Sequence, residues 1–137
     1  MEVFQHIALK KDIVLTININ ESIAVKADMD MLRLIIRNLL NNAIKFTPAG
    51  GNIELTAITQ DDDCIISVKD NGIGIPANKH GDIFSLKAKS TYGTENEKGT
   101  GLGLVLCKDY TLLQNGKIWF TSTEGVGTTF FVSLTCA

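Results

Sequence analysis

The chain lacks most of what would commit it to a covalent framework, a membrane or a polyanion. It has three cysteines, Cys64, Cys107 and Cys136, and the closest two, Cys107 and Cys136, stand 29 positions apart. An odd number at such separations suits neither a disulfide framework nor a compact metal site; three inert thiols in a reducing compartment are the simpler account. No apolar run is long enough to span a bilayer. No charged segment followed by an apolar stretch opens the chain in the manner of a signal peptide. The formal net charge is only −2, which gives no general drive toward nucleic acid or an anionic membrane. Internal repeats and low-complexity linkers are lacking too. These absences predict a cytoplasmic domain without nucleic-acid or membrane contact of its own.

What is present is ordinary in amount. At 137 residues, 45% apolar and 20% charged, the chain reads as one domain with a single sizeable core. Residues 13–19 alternate as a strand, and Ile23–Lys26 reads as a short second one. Asp28 is the expected N-cap of a helix over Met29–Phe46. On that helix Leu32, Ile36, Leu39, Ala43 and Phe46 recur at steps of three and four as one apolar face, and Pro48 with Gly50-Gly51 ends it. Residues 52–59 and 64–69 alternate again, joined by the acidic turn Gln60–Asp63 as a hairpin. Between Asp70 and Gly103 the composition shifts, and seven of the twelve glycines fall there. A loop this long in a compact domain is functional or disordered. A second helix is expected over Leu102–Leu113, ended by Asn115-Gly116. Strands follow over Lys117–Ser122 and Thr128–Thr135, around the turn Glu124-Gly-Val-Gly127. Intermixed strands and helices predict an α/β two-layer sandwich: a mixed, mostly antiparallel sheet of about five strands with about three helices on one face.

Three segments concentrate the residues that could do chemistry. The first is Asn38-Leu-Leu-Asn-Asn-Ala-Ile-Lys-Phe46. At roughly 100° per residue, Asn38 and Asn42 lie about 40° apart and Lys45 about 20° from Asn38, so all three form a polar stripe. An amide oxygen can ligate Mg²⁺, a hard cation that prefers oxygen, and a lysine one turn on can meet phosphate as a point charge. The same stripe also fits an ordinary solvated face, although asparagine disfavours helix interiors. The second segment, Asp70-Asn-Gly-Ile-Gly-Ile-Pro76, follows a strand. Its glycines permit a tight turn and a close ligand, and Asp70 could accept a hydrogen bond from an exocyclic amine. A plain glycine turn accounts for it equally. The third, Gly99-Thr-Gly-Leu-Gly-Leu104, opens a helix, where backbone N–H groups favour phosphate. No strand precedes it and no Gly-Lys-Ser/Thr ending closes it, so it is neither a dinucleotide fingerprint nor a P-loop.

Together with Gly125-Val-Gly-Thr-Thr129, these segments resemble, in order, the N, G1, G2 and G3 boxes of the GHKL ATPase/kinase superfamily. More narrowly, the chain is similar to the catalytic ATP-binding domain of bacterial sensor histidine kinases over about Ile13 to Leu134. The resemblance implies the Bergerat-type ATP-binding fold, with ATP and Mg²⁺ as cofactors. It implies that Asn42 holds the Mg²⁺, supported by Asn38, and that Lys45 contacts phosphate. Phe46 would lie near the adenine, and Asp70 would bind its amine with help from water and Thr128. Gly72, Gly74 and Ile75 would admit and line the base. Asn78–Thr100 would be a mobile lid, and Lys98, Gly99, Thr100, Gly101, Leu102, Gly103 and Leu104 would hinge it and present backbone N–H groups to the phosphates. Lys87 and Lys89 are further lid cations, equally readable as exposed loop charges.

One position separates branches of that superfamily by chemistry. Its ATP-hydrolysing members place a glutamate four residues before the Mg²⁺ asparagine as general base, and serine/threonine-directed relatives also place an acid there. This chain has Asn38, and an amide cannot take a proton. A neutral histidine acceptor already offers a lone pair, so the expected reaction is phosphotransfer to histidine; a GHKL-type ATPase, or a nucleotide-binding signalling module without kinase activity, are the alternatives. Neither His6 nor His80 sits in the family's phosphoacceptor context, and both read as surface residues. The chain therefore reads as a fragment of a longer kinase. Its expected partners are ATP or ADP, the dimerisation and phosphoacceptor helices of the parent, and the parent's response regulator, with the parent itself possible in an inner membrane. The lid departs from the family in one place: Ile83-Phe-Ser-Leu-Lys87 keeps Phe84 but has Lys87 where a second aromatic is usual.

Overall fold

The computed structural model describes residues 2–19, 25, 27–84 and 103–136. Its elements are α1 (Glu2–Lys10), β1 (Val14–Ile19), α2 (Met29–Phe46), β2 (Asn52–Gln60), β3 (Asp63–Asp70), a 3-10 helix (Ala77–Asp82), α3 (Gly103–Leu113), β4 (Lys117–Thr123) and β5 (Gly127–Thr135). The five strands form one sheet in the order β1-β2-β3-β5-β4. Only β1 and β2 run parallel, with α2 as their crossover; the other pairs are antiparallel. A mixed, mostly antiparallel sheet with helices over one face is the expected architecture.

Alternation along each strand sends one set of side chains inward. Ile53, Leu55, Cys64, Ile66, Val68, Phe130, Val132 and Leu134 meet the apolar side of α2 there. Asp28 caps α2, its carboxylate accepting from the Met31 N–H at 3.0 Å. The Asp61-Asp62 turn pairs Gln60 with Asp63 as expected, Asp61 taking a left-handed conformation. Asn115, also left-handed, ends α3, and the Gly116 N–H reaches back to the Thr111 carbonyl.

Several expectations are corrected. The helix α1 has no counterpart in the sequence reading, which begins its elements at Ile13. A nine-residue helix is too short to hold itself together, and this one is held by packing, through Phe4 and the fully buried Ala8. The apolar face of α2 is wider and rotated: Ile35, Leu40 and Ile44 join Leu32, Leu39 and Ala43 in the core, whereas Ile36 and Phe46 are half-buried. Of the strand expected at Ile23–Lys26, Val25 forms a single bridge to Cys136, and its other residues lie outside the described ones. Asn78–Asp82, the expected start of a mobile lid, lies in the 3-10 helix, and Ile83 and Phe84 follow it; lid residues 85–100 lie outside the described ones.

Candidate functional site

The end of the sheet where β3 finishes gathers three of the four motifs. Asp70 is the last residue of β3 and faces the core side, 7% exposed. Its Oδ1 accepts the Gly72 N–H at 2.9 Å and the Thr128 N–H at 3.3 Å. Its second carboxylate oxygen accepts no hydrogen bond among the described residues. Burial pushes the carboxyl above its ordinary range, and the two backbone N–H groups offset part of that rise. Thr128 stands opposite Asp70 in the β3–β5 register and is as deeply buried.

The Asp70–Ile75 loop is stitched to its neighbours through the backbone. The Ile73 N–H donates to the Phe46 carbonyl at the end of α2, and the Gly125 N–H donates to the Ile73 carbonyl at 2.7 Å. Gly72 packs face-on against the Phe46 carbonyl, and Gly74, at φ +73°, against the Thr123 carbonyl; a Cβ at either would collide with backbone. From sequence the two glycines fitted a tight turn or a close ligand equally; the fold requires both for its own backbone contacts.

On α2 the stripe of Asn38, Asn42 and Lys45 is half-buried. The Asn38 amide donates to the Gly103 carbonyl at 3.4 Å, which brings the asparagine helix to the start of α3. Gly103 and the half-buried Leu104 are therefore at the site. Below it, the fully buried Cys107 thiol donates to the Ile35 carbonyl at 3.6 Å and is pushed up to about 12 by desolvation, with Asn38 pulling it the other way. The Asn42 side chain makes no hydrogen bond to a described residue. The Lys45 ammonium lies 4.9 Å from the centre of the Phe46 ring. Lys98, Gly99, Thr100, Gly101 and Leu102, with Lys87 and Lys89, lie outside the described residues.

Three residues escaped the motifs. Ser122 of β4 accepts from the Ile75 N–H at 2.8 Å; its only sequence signal is a polar residue at an inward position of an alternating strand, in phase with Ile118 and Phe120. His80, expected at the surface, is half-buried: its Nε2 lies 2.8 Å from the Ile75 carbonyl and its ring meets Phe120 edge-on. Phe84 adds to this aromatic group through Phe120 and Phe130. Lys11, 7% exposed, donates to the Ile44 and Lys45 carbonyls at the end of α2; nothing in the sequence marks it.

Among the described residues no three His, Cys, Asp or Glu side chains cluster to hold a metal. No helix of the described residues is long and apolar enough to cross a membrane. A cation here would draw on amide oxygens and on its ligand. Mg²⁺ fits such a donor set, because it keeps water and phosphate oxygens and asks few ligands of the protein.

Residues 27–137 match the family model described as histidine kinase-, DNA gyrase B- and HSP90-like ATPase. The circadian input-output histidine kinase CikA of Thermosynechococcus vestitus is 44% identical over 78% of this chain and 15% of its own length. The adaptive-response sensory kinase SasA of a Synechocystis species is 36% identical over 98% of this chain and 35% of its own. The chain thus spans well under half the length of these relatives. The nucleotide-free catalytic domain of histidine kinase ThkA superposes with a TM-score of 0.85 at 29% identity, covering 98% of this chain and 86% of that domain.

Proposed function

Because the chain belongs to the histidine kinase-, DNA gyrase B- and HSP90-like ATPase family, as the catalytic ATP-binding domain of a sensor histidine kinase, we propose that it holds ATP with Mg²⁺ and delivers the γ-phosphoryl group to a histidine on a separate dimerisation domain of the parent kinase. The observation that carries this reading is the Asp70 carboxylate: buried, with Oδ1 engaged by two backbone N–H groups and its other oxygen open to a ligand. A buried acceptor of this kind is satisfied by an exocyclic amine such as adenine's, and costs free energy when left unmet.

In this reading Gly72, Gly74, Ile75 and Phe46 line the base, and Thr128 stands beside Asp70. The Asn38 link to Gly103 supports a phosphate cradle between α2 and the start of α3, where backbone N–H groups would meet the phosphates. Gly99, Thr100, Gly101, Leu102 and Leu104 would complete it, with Lys98 and Lys45 as cations. Asn42 is the residue assigned to Mg²⁺, because its amide is half-buried on the same stripe and makes no bond to a described residue. The metal, when bound, neutralises developing charge on the phosphates. Catalysis by Asn38, Asn42 and Lys45 is then positioning and charge stabilisation. Asn38 cannot act as a base, which disfavours hydrolysis and favours an acceptor that brings its own lone pair, a neutral imidazole.

The 137 residues act as a single domain. The partners are the dimerisation helices and response regulator of the parent, and the cytoplasm, where ATP is made available, is the compartment. The test is phosphotransfer. ADP with Mg²⁺ should bind by calorimetry, ATP turnover by the chain alone should stay near background, and a phosphoacceptor helix-pair domain supplied in trans should gain acid-labile, alkali-stable phosphate. Steady hydrolysis abolished by Asn42→Ala would favour the ATPase reading. Absence of ADP binding would favour a module without kinase activity.

A further inference from the structure

Ser122 lies outside every motif, yet three pieces of the site meet at its hydroxyl. It stands opposite Thr128 in the β4–β5 register. Its Oγ receives the Ile75 N–H at 2.8 Å, lies 3.2 Å from the Gly127 carbonyl and 2.8 Å from Thr128 Oγ1. A serine hydroxyl has one proton and two lone pairs. The Ile75 N–H takes one lone pair. The Gly127 carbonyl can only accept, so it takes the proton. The lone pair that remains faces Thr128, and the 2.8 Å contact is then a bond only if Thr128 supplies its own proton. The reverse assignment, Ser122 donating to Thr128, withdraws the Ser122 proton from the Gly127 carbonyl and frees the Thr128 proton to turn elsewhere.

Thr128 lies directly across from Asp70, and its backbone N–H already donates to Asp70 Oδ1. The orientation of one hydroxyl proton therefore decides what the floor of the pocket offers beside that carboxylate. With the proton drawn to Ser122, the floor presents two acceptors.

We infer that Ser122 is a specificity-determining residue of the base pocket: by drawing the Thr128 proton to itself it leaves Thr128 Oγ1 as a second acceptor beside Asp70, so that the site selects a base edge with two N–H donors and rejects one with a carbonyl there. The inference rests on the adenine reading above. An exocyclic amine carries two N–H groups and can satisfy both oxygens. The carbonyl of hypoxanthine or guanine would face two acceptors and leave them unmet, a mismatch that discriminates more strongly than a change of shape. Ser122 need not touch the base; it acts through Thr128 and, by its bond to Ile75, holds the loop that borders it.

The test compares Mg-ADP with Mg-IDP by calorimetry on the 137-residue chain. The wild type should prefer ADP. In Ser122→Ala the Thr128 hydroxyl is free to donate to the hypoxanthine carbonyl, so the ADP/IDP affinity ratio should shrink by about tenfold, the size of one hydrogen bond regained. Thr128→Val should lower the ratio by weakening ADP with little change in IDP, and Ser122→Ala added to Thr128→Val should leave the ratio where Thr128→Val put it. If Ser122→Ala weakens both nucleotides by one factor, the ratio unchanged, Ser122 is only structural and the inference is overturned. Should Ser122→Ala give no cooperative melt, Thr128→Val decides: equal loss of both nucleotides overturns the proposal. A wild-type chain that binds neither nucleotide overturns the adenine reading instead.

Discussion

The side-chain amide of Asn38 donates to the main-chain carbonyl of Gly103 across 3.4 Å, tying the middle of α2 to the first residue of α3. Sixty-five positions separate the two in sequence, and the glycine-rich segment leading into α3 lies between. The bond gives Asn38 a second duty beside the one its position in the motif suggests. An aspartate there could act as a base, but would set a carboxylate against the Gly103 carbonyl.

Asn38→Ala should therefore lower unfolding free energy by about 1 kcal/mol, the net value of one hydrogen bond. Asn38→Asp should cost more, because it replaces a donor by a repelled acceptor beside the buried Cys107. Urea unfolding of the two variants checks the order. Equal stability of both variants with the wild type would mean that the Asn38–Gly103 contact contributes nothing.

Asn42 is tested by withdrawing the metal. In the wild type, Mg²⁺ should tighten ADP binding, and chelation should weaken it. Asn42→Ala should abolish most of that difference while leaving metal-free ADP affinity within about twofold, since the side chain makes no bond to a described residue that its loss could break. Calorimetry with and without chelator reads both quantities. A variant that keeps the full magnesium dependence would remove Asn42 from the metal.

Asp70 should trade stability for binding. Its carboxyl is held above the ordinary value of 3.8 by burial, against the pull of the Gly72 and Thr128 N–H groups. A carboxyl raised in the folded state binds its proton more tightly there than in the unfolded chain. Its contribution to stability is therefore fully present below the unfolded value and is lost as pH rises through the folded one. Asn at position 70 keeps a carbonyl oxygen for both N–H groups and has no charge to bury. Asp70→Asn should melt higher than the wild type at pH 7, with the gap closing toward pH 4, and should bind ADP at least about tenfold more weakly through the lost charge-assisted bond. Scanning calorimetry from pH 4 to 8 gives the first result; a variant less stable at pH 7 would contradict it.

How much of this was legible in the sequence depended on whether the cause was local. The Asp28 cap, the Asp61-Asp62 hairpin and the Asn115-Gly116 helix end are set by residues within a few positions of one another, and each forms where the pattern placed it. The β2, β3 and β5 strands obey their alternation for the same reason. What escaped is set by packing between distant segments. α1 exists because Ala8 and Phe4 find the core; its own nine residues carry no strong helix signal. The buried side of α2 rotates toward Ile35 and Ile44 because both the sheet and α3 press on it. Gly72 and Gly74 were legible as glycines with a purpose, but the backbone carbonyls they lie against, those of Phe46 at the end of α2 and Thr123 at the end of β4, belong to distant segments and could not be read from spacing. Ser122 and His80 converge on the Ile75 backbone, one at its N–H and the other at its carbonyl, for reasons that only the register of β4 and the 3-10 helix supply.

Lys11 carries the last prediction. It follows α1 directly, and its ammonium, 7% exposed, donates to the Ile44 carbonyl at 2.8 Å and the Lys45 carbonyl at 3.1 Å. Those carbonyls belong to the final turn of α2, where helical partners run out; the Ile44 carbonyl otherwise receives the capping Thr47 N–H at 3.4 Å, and the helix end favours a cation. The same turn carries Lys45 and Phe46. One side chain thus fastens the segment before β1 to the end of α2 that the proposed reading sets beside the base and phosphates. Lys11→Met keeps most of the apolar stem but removes both donations to the end of α2, so unfolding free energy should fall by about 2 kcal/mol. ADP affinity should fall as well, because the Phe46 carbonyl that receives the Ile73 N–H sits at the end of the loosened turn. Lys11→Arg should recover much of both, since a guanidinium can donate to two carbonyls at once. Urea unfolding and ADP calorimetry on the two variants make the comparison. A methionine variant that loses stability but binds ADP with wild-type affinity would confine Lys11 to the fold and disconnect it from the site.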